Sequence, residues 1–294
     1  MRKTCFIAIG VRPNVGKSTL MNAILGEKVA IVSSKPQTTR NRIIGIHTVE
    51  ENQFVFLDTP GMFKPRNTLG DYMVKTANST MGDADAVILV VDAGKPISEI
   101  EENVMNYAKK EELPTILVLN KCDLYRREQI AESIAAFAEK HSFEAVIPIS
   151  AKNGKGVDEV IGECEQFLCE SDFFFPEDIV TDQSERQVAA EVIREKLLRT
   201  LDKEVPHGVA VVIEEFKDEN TLISIRAEIY CEKASHKGII VGKKGEELKR
   251  VGSYARSDLE KIFGTKVYLN LWVKVKENWR DSQSEITDFG YFEE

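Results

Sequence analysis

Long apolar runs are missing from this chain of 294 residues, and no stretch approaches the ~18 consecutive apolar residues of a membrane span. Cysteine is scarce and scattered. Cys5, Cys122, Cys164, Cys169 and Cys231 are odd in number, and no two stand at metal-ligand or disulfide-framework spacing, which fits a reducing cytosol. A secretory leader is only superficially suggested. The apolar run behind Met1-Arg2-Lys3 is interrupted by Arg12 and has no small-residue cleavage site after it. Positive charge is in deficit too: a net charge of −9 argues against a protein that simply coats nucleic acid, so any such site must be a local patch.

What is present is a soluble globular composition, 43% hydrophobic and 30% charged, long enough for two domains with a core each. In the first half, β-rich apolar runs recur at 5–9, 54–57, 86–91, 115–119 and 145–149. Charged helical patterns at 99–110, 127–140 and 157–168 separate them. Apolar strands buried on both faces and separated by helices predict a doubly wound α/β sheet. Ligands in such sheets bind where the strands end, so the informative residues should follow each run.

Behind the first run stands Arg12-Pro13-Asn14-Val15-Gly16-Lys17-Ser18-Thr19, which opens a helical pattern ending near Gly26. Strand, tight loop, Gly-Lys-Ser and helix describe a phosphate-binding loop. Its backbone N–H groups converge on an anion with help from the helix dipole. Lys17 would neutralise β- and γ-phosphates, and Ser18 would offer its hydroxyl to Mg²⁺. The usual spacing, however, calls for glycine where Val11 stands, and Gly10 comes one place early. A β-branched residue there leaves two readings open: an ordinary backbone at 11, or a strained loop with reduced nucleotide affinity.

The later strand ends resolve the class of ligand. Asp58-Thr59-Pro60-Gly61 supplies an Asp for the magnesium ion and a Gly N–H for a γ-phosphate. Asn120-Lys121-Cys122-Asp123 supplies a carboxylate, Asp123, that can accept from both the ring N–H and the exocyclic amine of guanine, a pair adenine lacks. Ser150-Ala151-Lys152 offers backbone to the guanine oxygen. Each motif alone is weak, but their order and placement resemble the translation-factor-related GTPases. That resemblance makes the polar loop 33–42 a nucleotide-state switch, with Thr39, beside Thr38, completing the magnesium shell. The position held by a water-orienting Gln in Ras-like proteins is Met62, followed by Phe63. Related GTPases with a hydrophobic residue there use a potassium ion held by a loop Asn, and Asn14 occupies the matching place. Lys17, Thr39, Gly61 and Asn14 are thus the candidate catalytic residues.

After about residue 170 the alternation stops. Phe173-Phe174-Phe175-Pro176 reads as a linker anchored against a domain surface. Segment 184–201 is helical with Val188, Val192, Leu198 and Leu201 near one face, and strands at 209–216 and 222–230 form a hairpin through 217–220. Then come Lys237 and Gly242-Lys243-Lys244-Gly245, flanked by helices. In this setting Gly-x-x-Gly is the core of a KH domain, whose glycines let backbone approach RNA phosphates while the lysines supply charge. From 231 to 276, eleven Lys and Arg face five acids, a basic patch on an acidic chain. The last strand puts Val267, Leu269, Leu271, Val273 and Val275 on one face and Tyr268 and Trp272 on the other. Those two rings either meet RNA or lie under segment 277–289, and the second arrangement is the one expected.

With Gln37-Thr38-Thr39-Arg40, Asp58-Thr59-Pro60-Gly61, Ser235-His236-Lys237-Gly238 and Leu271-Trp272-Val273-Lys274-Val275-Lys276, essentially the whole chain resembles the Era-like GTPases that carry a C-terminal type II KH domain. The resemblance implies a GTPase domain at 1–170, a linker at 171–183, a KH domain at 184–278 and a tail at 279–294. It implies GTP/GDP, Mg²⁺ and K⁺ as ligands, and binding of 16S ribosomal RNA during assembly of the 30S subunit. It further implies a cytoplasmic monomer with peripheral association with the inner membrane. GTP would order segments 33–42 and 59–79 and alter the docking and RNA affinity of the KH domain. Two rivals stand beside this reading: a KH protein whose GTPase domain binds nucleotide poorly because of Val11, and a tRNA-modifying GTPase, whose added domains this chain has no room for.

Overall fold

The protein, seen here in a computed structural model, is described for residues 1–10, 12–33, 35, 37–61 and 65–291. It divides into two compact units, one of residues 1–32, 39–64 and 73–182, the other of 33–38, 65–72 and 183–294.

The first unit is built on one sheet. Its strands are β1 (Lys3–Gly10), β2 (Ile43–Val49), β3 (Asn52–Asp58), β4 (Ala86–Asp92), β5 (Thr115–Asn120), β6 (Ala145–Pro148) and the two-residue β7 (Cys169–Glu170). The order is β2-β3-β1-β4-β5-β6, with β7 antiparallel against the start of β1. Strands β3, β1, β4, β5 and β6 are parallel, as the apolar runs require. All seven residues of β4 are buried, and each of its Val, Ile and Leu side chains contributes about 1.5–3 kcal/mol by leaving water. Helices α1 (Lys17–Leu25), α3 (Glu99–Lys110), α4 (Arg127–Ala138) and α5 (Val157–Cys164) fall where the periodicity puts them. At the start of α3 the Ser98 N–H donates to the Glu101 carboxylate at 2.6 Å.

Besides the short β7, two elements of the first unit are additions to the sequence reading. Strand β2 pairs antiparallel with β3 along its whole length, and helix α2 (Thr68–Gly82) occupies most of what reads as a switch segment. The linker aromatics are anchored. Phe174 meets Phe6 edge-on at 5.0 Å, and the fully buried Gln53 accepts from the N–H groups of Phe174 and Phe175 at 3.0 and 3.1 Å. The anchoring continues to Thr181, whose hydroxyl donates to the Ile44 carbonyl at 2.7 Å.

The second unit runs α6 (Glu185–Thr200), β8 (Ala210–Asp218), β9 (Leu222–Cys231), α7 (Ala234–Val241), α8 (Glu246–Phe263), β10 (Lys266–Val275) and α9 (Gln283–Asp288). Up to β10 this is the helix–strand–strand–helix–helix–strand order of the sequence reading. The sheet order is β10-β9-β8, with β8 antiparallel and β10 parallel to β9. Odd-numbered residues of β9 and β10, among them Ile225, Ile229, Val267 and Val273, share the core with Val251, Ala255 and Leu259 of α8.

Helix α6 departs from the one-faced pattern: Ala189 and all residues from Val192 to Leu198 are buried, three charged ones included. Glu195 is fully buried and accepts from Lys196 at 2.7 Å and from Arg199 at 3.0 Å, while Lys196 also reaches Asp258 of α8. Burial pulls the Lys196 ammonium down, but its hydrogen bonds to Asp258 and Glu195 outweigh this and hold it above the ordinary lysine range. Lys196→Ala leaves a buried carboxylate short of its partner. It is expected to cost about 3–5 kcal/mol in urea unfolding, against a smaller loss when Glu195 is neutralised as well.

The expectation that segment 277–289 covers Tyr268 and Trp272 is not met. The segment packs through a buried Trp279 and through Phe289, which stacks on Tyr230 at 4.5 Å, and both β10 rings stay exposed. The second unit also takes in two stretches from the first half of the sequence. Arg194 donates to the Thr38 carbonyl, Lys35 to that of Leu201, and the Thr68 hydroxyl to that of Asp281 at 3.2 Å.

Candidate functional site

Strand β1 delivers the chain to a loop that must turn sharply into α1, and the turn is made by left-handed backbone at Asn14 (φ 68°) and by Gly16 (φ 104°). A Cβ on Gly16 would stand 2.3 Å from Asn120 Nδ2, so glycine is required there by conformation and by space. Gly10 is different. It has no left-handed φ, and a Cβ on it would meet its neighbours at 3.7 Å or more, so it does not replace the loop glycine absent at 11. Val11 itself lies outside the described residues, as do Met62 and Phe63.

The three residues assigned to magnesium come together. Asp58, at the end of β3, accepts from the Ser18 hydroxyl at 2.9 Å and from the Thr39 hydroxyl at 3.3 Å, and both converge on Oδ2. Ser18 and Thr39 stand 3.3 Å from each other. Asp58 Oδ1 is buried and has no hydrogen-bond partner among the described residues. Burial raises the Asp58 carboxyl above its ordinary range, with the Lys17 ammonium opposing. Burial likewise lowers Lys17, at the first turn of α1. A buried carboxylate oxygen without a donor, flanked by two hydroxyls, fits a hard cation bound through oxygen. Gly61 approaches the loop so closely that a Cβ there would sit 3.0 Å from the Pro13 nitrogen.

The segments expected to read guanine are tied to the loop expected to hold phosphate by one side chain. Asn120 donates to the Val15 carbonyl at 2.9 Å and accepts from the N–H groups of Lys121 at 2.8 Å and Ala151 at 3.0 Å. Lys121, itself in left-handed backbone, donates to the Asn14 carbonyl at 2.7 Å and to Asp92 at 2.9 Å. Asp123 is exposed and receives the Ser150 hydroxyl at 2.7 Å. Lys152 is exposed beside them, while Arg12 turns to the buried Glu101, 3.3 Å away.

Asp92 and Tyr125 belong to this network and were missed from sequence. The tyrosine hydroxyl donates to Asp92 at 2.8 Å, and with Lys121 it holds the carboxylate below its ordinary range despite burial. The available signal was an aspartate ending a buried strand, the same placement as Asp58.

In the second unit, α7 and α8 are joined by Gly242-Lys243-Lys244-Gly245. Gly242 (φ 72°, ψ 179°) is confined by Glu247, whose backbone N would stand 3.0 Å from an added Cβ. Gly245 caps α8 in left-handed backbone, and Lys237, Lys243 and Lys244 are exposed. The loop therefore projects two ammonium groups from a backbone with little side-chain bulk, a shape that suits phosphates.

A family profile described as a 50S ribosome-binding GTPase matches residues 6–121, and a KH-domain profile matches residues 204–280. The chain is similar to the GTPase Era of Alkaliphilus metalliredigens, at 48% identity over 98% of this chain and 99% of that one. It is also similar to the GTPase Era of Clostridioides difficile, at 47% identity over 99% of each. A crystal structure described as Era in complex with MgGDPNP and nucleotides 1506–1542 of 16S ribosomal RNA matches with a TM-score of 0.95 and 39% identity over 99% of both chains. An Aquifex aeolicus Era variant bound to GDP and AlF4⁻ matches with a TM-score of 0.94 and 39% identity, covering 98% of this chain and 99% of that one.

Proposed function

We propose, for a chain that belongs to the GTPase Era family, that it hydrolyses GTP as a switch controlling how its KH domain holds 16S ribosomal RNA during assembly of the 30S subunit. The family has a P-loop GTPase domain and a C-terminal KH domain, and the chain is a GTPase of this kind. The reading of a KH protein whose GTPase domain binds nucleotide poorly because of Val11 is not favoured. The observation that carries the mechanism is the buried Asp58, with both hydroxyls on one oxygen and none on the other.

In this mechanism Lys17 neutralises the β- and γ-phosphates, and the loop 12–19 wraps them with backbone N–H groups. Ser18, Thr39 and Asp58 hold magnesium, which supplies charge neutralisation at the phosphates. Gly61 presents its N–H to the γ-phosphate. Asp123 reads guanine, with Asn120, Lys121, Ser150, Ala151 and Lys152 fixing its position. Lys237 and residues 242–245 clamp the RNA backbone. We assign 1–170 to the GTPase domain, 171–183 to the linker, 184–278 to the KH domain and 279–294 to the tail. The protein acts as a cytoplasmic monomer that associates peripherally with the membrane.

Coupling between nucleotide and RNA follows from the two short stretches, 33–38 and 65–72, that cluster with 183–294 and flank the nucleotide motifs in sequence. Loss of the γ-phosphate releases Thr39 and Gly61, and with them the neighbouring residues that bond to Arg194, Leu201 and Asp281. The test is the affinity of the full chain for a 16S 3′-end fragment in GDP and in a non-hydrolysable GTP analogue. A difference is expected, and equal affinities sink the coupling.

Asn14, exposed in the loop, is assigned to potassium. GTP turnover is expected to be faster in potassium than in sodium, with the difference abolished in Asn14→Ala. Equal parental rates in the two salts would remove the cation from the mechanism.

A further inference from the structure

Two exposed rings belong to no site described so far. Tyr268 and Trp272 of β10 are each 58% exposed, on the sheet face opposite the helices. Asn270 lies between them, and the register sets Ser224, Arg226 and Glu228 of β9 beside Tyr268, Asn270 and Trp272. Lys266 and Lys274 flank the pair along the strand, both exposed, and Lys274 neutralises Glu228 at 2.5 Å. Among the described residues, the C-terminal segment meets this face near Tyr230, through Phe289.

We propose that this face is a second RNA contact, a platform on which two unpaired bases of the RNA held by the Gly-Lys-Lys-Gly loop stack on Tyr268 and Trp272. The inference rests on the RNA-binding role assigned to that loop.

Aromatic faces bordered by cations are the chemistry that holds single-stranded nucleic acid without reading its sequence. Four residues of strand separate the rings by about 13 Å. That is several times the ~3.4 Å rise between stacked bases in a duplex strand, so the occupant is a splayed single strand. Asn270 and Arg226 between the rings offer donors to base edges and to the backbone. A face that dips into lipid would set aliphatic side chains beside its aromatics. Here the neighbours are Asn, Ser, Arg and Glu.

The chain has two tryptophans, Trp272 exposed and Trp279 buried, so fluorescence quenching on RNA binding reports the first. The probe is a 37-nucleotide RNA with the sequence of 16S nucleotides 1506–1542, titrated into the full chain with a GTP analogue. Quenching is expected in the parent. Tyr268→Ala and Trp272→Ala are each expected to weaken binding about tenfold with unchanged melting temperature, and Trp272→Phe to recover most of the loss.

A Lys243→Glu/Lys244→Glu variant separates this proposal from the reading beneath it. If that variant binds RNA like the parent, the loop assignment fails. If it loses RNA while both ring variants bind with parental affinity, the platform is overturned and the loop assignment stands. Ring variants that lose only binding to anionic phospholipid vesicles overturn the platform in favour of a membrane-facing surface.

Discussion

Asp123→Asn is expected to exchange the base that the protein accepts. Guanine presents two donors toward the carboxylate, whereas an amide at 123 offers one acceptor and one donor. Xanthine, with a ring N–H and an adjacent carbonyl, matches the amide, and guanine leaves two donors opposed. A site built around such a pair discriminates strongly, so GTP affinity should fall by about 10³–10⁴-fold while xanthosine triphosphate gains. Titration of the two nucleotides against parent and variant measures it directly. The Ser150 hydroxyl, donating to Asp123 at 2.7 Å, positions the carboxylate, so Ser150→Ala should shift GTP affinity far less and leave the base preference intact. A variant that still preferred GTP would show that Asp123 does not face the base.

The second large effect belongs to Gly16→Ala. The added carbon would stand 2.3 Å from Asn120 Nδ2, in a backbone at φ 104° that other residues rarely adopt. Relief requires either moving the loop or breaking the bond from Asn120 to the Val15 carbonyl. Either displaces Lys17 and Ser18 from the places in which we propose they meet the phosphates. Turnover should drop at least about 100-fold, as for other ångström-scale misplacements of catalytic groups. Stability should fall by about 3 kcal/mol from strain and overpacking together. Gly10→Ala is the control. With ordinary contacts and unstrained backbone it should be neutral or stabilising by up to about 1 kcal/mol. Parental turnover and melting temperature in Gly16→Ala would remove this account of the loop.

Much of the first unit was legible because its parallel strands are buried on both faces and so appear as unbroken apolar runs. Strand β2 escaped because it follows a polar switch loop, with Gly45, His47 and Thr48 breaking the run among its isoleucines. Helix α2 escaped for a related reason: Thr68, Gly70, Asn78, Ser79 and Thr80 are weak helix formers, and tertiary packing overrides that preference. In the second unit the alternation of β10 identified its faces correctly. It could not say which face a later segment would cover. Phe289 found Tyr230 and Trp279 instead of the β10 rings, and Tyr268 and Trp272 stay open.

By itself the sequence determined the class of chemistry. Lysine and serine after a glycine turn, an aspartate at one strand end and the carboxylate we assign to guanine at another are local features, and each could be read from its neighbours along the chain. Only the tertiary structure decided how these features act as one site. Asn120 is bonded to Val15 and Ala151, far from it in sequence, and Asp92 joins Lys121 and Tyr125 with no motif to announce it. Hydrogen bonds of this kind depend on which strand ends the sheet order places side by side. That order is set by the packing of whole elements, which local sequence does not contain.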